Sequence, residues 1–155
     1  MCRYNQWQND KLYKICESLS DEQRRMDKGA YFGSIHGTLN HLMYADLAFL
    51  SRFTGDPKNE PAIGTDLYES FNALKDARQM LDRRMLNWAA SLTDNWLGQT
   101  LTYTSQVDGL TRTKKHWELV AHLFNHQTHH RGQLTTLLSQ ANVDYGSTDL
   151  PFMPD

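Results

Sequence analysis

The chain has 155 residues, 22% of them charged, and a formal net charge of −2. That length is most simply one domain spanning 1–155 and long enough to bury a core, and the near-neutral balance with no basic block argues against an electrostatic nucleic-acid footprint. No run of about 18 apolar residues is present, so no membrane span is expected; no signal-peptide pattern opens the chain, and Cys2 and Cys16 form no C-x-x-C motif, so a reducing cytoplasm is the expected setting.

Residues 4–19 read as a first helix, with Tyr4, Leu12, Ile15 and Leu19 on one face and Trp7 and Cys16 on its flanks. Ser20-Asp21-Glu22 reads as an exit turn, and residues 21–33 as a polar loop ending in Gly-Ala-Tyr-Phe-Gly. Ser34 is positioned to cap a second helix running to about Phe53, with Ile35, Leu39, Leu42, Phe49 and Phe53 as its apolar stripe, interrupted by Asp46. Gly55-Asp56-Pro57 stops it, and a crossover loop with Pro57, Pro61 and Gly64 follows. A third helix fits 66–92, where Leu67, Phe71, Leu74, Ala77, Leu81, Met85, Trp88 and Leu92 step by three or four. Residues 100–104 alternate and are rich in β-formers; with Asp108-Gly109 and residues 110–114 they predict a small hairpin. Thr113 is placed to cap a fourth helix running to about Asn142, and residues 146–155 read as an irregular strap. The fold class predicted is all-α: a four-helix bundle with a small β-hairpin between its third and fourth helices.

The fourth helix carries the densest chemistry. His122, His126, His129 and His130 lie within nine residues. His126 and His130, four apart, share a face one turn apart and fall in the stripe Leu119, Leu123, His126, His130, Leu134, Leu137, Ala141. A single histidine on an apolar stripe is ordinarily a core residue satisfied by hydrogen bonds. Two in succession must each lose water and find partners for both ring nitrogens, and a shared metal ion supplies one of those partners to both. His122 and His129 fall toward the edge of the arc. The second helix offers His36 and His41. His36 borders the apolar arc, whereas His41 lies with Thr38, Ala45 and Ala48, small residues that let another helix approach. Periodicity alone does not choose between them and leans toward His36.

Gly33-Ser-Ile-His-Gly-Thr-Leu-Asn-His41 followed by Asp46, and Asn125-His126-Gln-Thr-His-His130-Arg-Gly-Gln133, resemble the two histidine motifs of the DinB/YfiT-like proteins, a family distinct from the lesion-bypass polymerase that shares the DinB name. The segments Tyr4-Asn5-Gln-Trp7-Gln-Asn9 and Thr148-Asp149-Leu150-Pro151 are similar to that family's two ends. The resemblance implies a four-helix bundle, often a homodimer, with one divalent metal held by His41, His126 and His130. His36, His116, His122 and His129 match no ligand position.

Three imidazoles leave coordination positions open, as in a catalytic site. They suit Zn, Ni, Fe or Cu, and the ring nitrogens are expected about 3–4 Å apart, the spacing a shared ion requires. The resemblance further implies a metal-dependent hydrolase or transferase using a low-molecular-weight thiol as cosubstrate; the alternative is a non-enzymatic metal-binding stress protein. Asp46 is either a carboxylate orienting a ligand histidine or a polar residue in a helix seam. Arg131 and Arg112 could hold an anionic substrate, although solvated surface positions are the plainer expectation.

Overall fold

The structure, a computed structural model, describes residues 1–56, 60–64 and 66–154. Pro57 of the expected stop signal, part of the crossover loop and the last residue of the strap lie outside them. The elements are α1 (Cys2–Glu17), α2 (Asp21–Arg25), α3 (Ile35–Thr54), α4 (Phe71–Ala90), α5 (Asp94–Gly98), β1 (Thr100–Thr104), β2 (Thr111–Lys115) and α6 (His116–Gln140), with a 3₁₀ turn at Leu150–Phe152. The four long helices α1, α3, α4 and α6 correspond to the four predicted, and the antiparallel pair β1–β2 is the predicted hairpin. No helix among the described residues is long and apolar enough to cross a membrane.

Several boundaries differ from the sequence reading, each for a local reason. Ser20 opens α2 rather than an exit turn: its hydroxyl accepts from Gln23 N and the Gln23 side chain accepts from Ser20 N, a capping box. The third predicted helix begins at Phe71, not 66, because Ser70 caps it. Leu67 therefore packs from the preceding segment. Thr113 does not cap α6. It lies inside β2, its hydroxyl 2.7 Å from that of Thr102, and α6 begins after Lys115, whose N–H donates to Glu118. The hairpin loop spans six residues, with Gly109 at φ 70° as its left-handed position. α3 ends as predicted: Gly55 is left-handed at φ 68°, and the N–H groups of Gly55 and Asp56 return to Arg52 and Ser51.

The core is apolar around Leu12, Leu39, Met43, Leu74, Leu81, Met85, Leu123, Leu134 and Leu138, but a charged seam runs through it. Arg78 of α4 donates to Asp46 of α3 at 2.7 Å and to Asp82 at 2.9 Å. Asn9 of α1 donates to Asp82, and Gln127 of α6 donates to Asp46 at 2.6 Å. Arg131 of α6 donates to Asn5, Gln8 and Asn9 of α1. Two arginines and two aspartates balance in charge, each 5% exposed or less, and the seam ties all four long helices together. The buried face of α1 consequently runs through Cys2, Asn5, Asn9, Leu12 and Cys16; Cys16 is fully buried rather than flanking, and Ile15 is the half-buried one.

Candidate metal centre

α3 begins where the sequence predicts. The Ser34 hydroxyl accepts from Gly37 N at 3.1 Å, which starts the helix so that His41 emerges two turns later, facing α6. The chain entering α3 passes unusually close to it, over Gly37, and this lays the Phe32 ring on the His41 ring, centroids 3.8 Å apart and 18° from parallel. On the other side α6 lies close enough to α3 for the Gln127 amide to donate to the Leu42 carbonyl at 3.1 Å.

This packing brings three histidines together. The Nε2 atoms of His41 and His126 are 3.1 Å apart. The His130 ring centroid lies 4.5 Å from that of His41 and 4.3 Å from that of His126, and one ring nitrogen from each of the three falls within 4.8 Å of the others. The His41–His126 separation falls within the about 3–4 Å expected for a shared ion.

Burial keeps these imidazoles neutral. Desolvation, with a smaller contribution from His130, pushes the His41 pKa down to about 4. Desolvation, then the neighbouring histidines, pushes that of His126 down to about 3, and desolvation also lowers that of His130. The His130 Nδ1–H donates to Gln133 Oε1 at 2.7 Å, which leaves His130 Nε2 with a bare lone pair. A neutral imidazole always has one such nitrogen. With the tautomers of His41 and His126 set so that Nε2 is bare, three lone pairs face one point and are short of donors, and a cation satisfies them together. The donor set therefore fits a divalent ion held by His41, His126 and His130.

The other histidines are placed elsewhere. His36, which periodicity slightly favoured, is buried at 1% exposure with Nε2 2.9 Å from the Tyr68 carbonyl. With Asn40, which exchanges hydrogen bonds with the Tyr68 backbone, it pins the chain entering α4. His116 stacks on Trp96 at 3.9 Å, its Nδ1 on the Trp96 carbonyl. His122 packs against Phe49, and His129 is exposed beside His130.

Two polar residues, Gln127 and Arg131, lie where sequence reasoning did not place them. The axis of the buried stripe on α6 passes through Gln127, not His126: Gln127 is fully buried, while His126 is half-buried. Arg131 is 5% exposed and committed to α1, so it is neither a surface arginine nor an anion ligand. Arg112 is on the hairpin, paired with Asp108, as a solvated arginine should be. Asp46 touches Arg78 and Gln127 rather than a histidine, which makes it a seam residue. The signals available for this seam were Arg78 and Asp82, one turn apart within the Leu74–Leu81–Met85 stripe, and Asn5 and Asn9 one turn apart on α1.

A helical bundle with two histidines one turn apart on one helix and a third from its neighbour defines a class of bundle proteins with a histidine-lined candidate metal site. The chain belongs to the DinB family, whose model matches residues 1–155. It is 27% identical over 152 residues to Protein DinB of Bacillus subtilis (strain 168), covering 94% of this chain and 87% of that protein. Its fold is similar to the crystal structure of a DinB-like protein from Bacillus cereus ATCC 10987, with a TM-score of 0.65, 21% identity, and coverage of 91% of this chain and 90% of that one.

Proposed function

We propose that His41, His126 and His130 bind one divalent metal ion (Zn, Ni or Fe) and that the protein is a metal-dependent hydrolase or transferase acting with a low-molecular-weight thiol. The observation that carries this reading is the convergence of three neutral imidazole nitrogens from two helices on one point. Three ligands leave coordination positions open, and a bound ion lowers the pKa of a coordinated thiol or water so that a nucleophile exists at neutral pH.

The chain's own residues have supporting parts. Gln133 accepts from His130 Nδ1–H and fixes which nitrogen faces the cluster. Phe32 stacks on the His41 ring and covers one of its faces. Cys2 and Cys16 are buried, and desolvation raises their thiol pKa values to about 11 and about 12. A reacting thiol therefore comes from a cosubstrate. The protein acts in this reading as a cytoplasmic homodimer. The dimer rests on the family resemblance; sedimentation at micromolar concentration tests it.

The deciding experiment is metal analysis of the purified protein, followed by a thiol-transfer screen of the metal-loaded protein with glutathione and bacillithiol. One equivalent of metal and thiol-dependent turnover are expected. Metal at full stoichiometry without turnover across the screen points to a metal-binding stress protein instead, and the absence of stoichiometric metal after reloading overturns the site.

A further inference from the structure

Beside His41 a cavity of about 340 Å³ opens between the start of α3, the residues Ile63, Gly64 and Asp66, and the hairpin loop. Its aromatic lining is Phe32, stacked on His41, with Tyr31 edge-on to Phe32 at 4.9 Å and Tyr44 6.1 Å from the His41 ring. Ile63 and Val107 add an apolar rim. Among the described lining residues the charged group is Asp66, which is exposed and makes no hydrogen bond or ion pair with any described residue. No lysine or arginine is among the described lining residues. Nearby arginines are already engaged: Arg25 with Asp21 and the Glu69 carbonyl, Arg52 with Glu60.

Aromatic faces attract cations through their quadrupole, and an unpaired carboxylate adds a full charge of the same sign of effect. Both repel a carboxylate ligand. We propose that this cavity binds an organic cation, an ammonium group carried on an aromatic or short alkyl body, and holds it next to His41. That the cation is thereby presented to a metal ion rests on the functional reading above; its binding in the cavity does not. A thiol bearing carboxylates, such as glutathione, is excluded from this cavity, so the cavity takes the acceptor rather than the thiol.

The test compares three probes of similar size, benzyltrimethylammonium, benzyl alcohol and benzoate, by titration calorimetry with the full chain, metal-free and zinc-loaded. Benzyltrimethylammonium should bind roughly tenfold more tightly than benzyl alcohol, and benzoate more weakly than either. In Asp66→Asn the preference for the cation over the alcohol should fall about fivefold while zinc stoichiometry is unchanged. Tyr31→Leu, at a position 85% exposed, should weaken the cation more than the alcohol. Benzoate binding as tightly as the cation, or an unchanged cation preference in both variants, overturns the proposal. The two readings fail separately: zinc binding without cation selectivity sinks the cavity proposal alone, and cation selectivity without zinc binding sinks the metal centre alone.

Discussion

A β-carbon added to Gly37 would sit 2.2 Å from the carbonyl oxygen of Phe32. The obstacle is backbone, so it cannot rotate away, and the entry chain must shift. Gly37→Ala should therefore destabilise the protein by about 1–3 kcal/mol, as overpacking does, and disturb the Phe32 ring over His41. Gly132→Ala is the control. Gly132 lies inside α6 with nothing near its added β-carbon, and removing an interior helix glycine should stabilise by roughly 0.5–1 kcal/mol. Urea unfolding of the two variants reads both signs.

The second prediction separates two histidines on one helix. His41→Ala should abolish tight metal binding, whereas His36→Ala should keep the metal and lose stability, on the order of 1–3 kcal/mol, because the Tyr68 carbonyl loses a buried partner. Metal stoichiometry and thermal unfolding measured together distinguish them. Stoichiometric metal in a His126→Ala, His130→Ala double variant would refute the site.

Gln133 offers a subtler test. Its carboxamide oxygen holds His130 Nδ1–H at 2.7 Å. Gln133→Ala should lower metal affinity by about 10–100-fold, the usual effect of removing a partner behind a ligand histidine. Competition with a chelator gives the number, and an unchanged affinity would mean that the packing alone orients the ring.

The charged seam predicts a large stability loss. Asp46→Ala leaves Arg78 and Gln127 without their shared partner at a site with no solvent exposure. About 3–5 kcal/mol should be lost, because the residual guanidinium charge is buried without its full compensation. Chemical denaturation checks it, and a loss below about 1 kcal/mol would mean that water enters the seam.

The cysteines provide a simple count. With pKa values raised to about 11 and about 12 by burial, neither thiol should react quickly with a disulfide reagent at pH 8 in the folded protein, and two should react after denaturation. Rapid reaction of Cys16, which is fully buried, would reveal opening of the bundle.

Which parts of this architecture were legible follows from how the residues are solvated. Apolar stripes on α4 and α6 marked long helices because leucine and methionine at three- and four-residue steps have one plausible environment. The His126–His130 pair stood out for the converse reason, polar rings on such a stripe. His41 did not stand out, because α3 is buried on most of its surface, and a helix covered on nearly all sides has no polar face against which period can choose. The family motif selected His41 instead. Gln127 and Arg131 were hidden because each is polar by composition and buried by virtue of partners on other helices, and Arg78 and Asp82, though one turn apart in the α4 stripe, owe their burial also to Asp46 on α3 and Asn9 on α1. Such pairing is a tertiary property, invisible to the local pattern.

On α6 the residues that face the candidate metal site and those that enter the seam are immediate neighbours: His126 beside Gln127, His130 beside Arg131. One residue along a helix is about 100° around its axis. Any rotation of α6 that withdrew the histidines from His41 would also pull Gln127 from Asp46 and Arg131 from Asn9, leaving charge and amide groups stranded in the apolar core. A purely leucine-packed helix has no comparable obstacle to turning. The paired positions act as a key in a lock of one orientation, so the azimuth of the helix, and with it the aim of both imidazoles, is set by the seam and needs no ion.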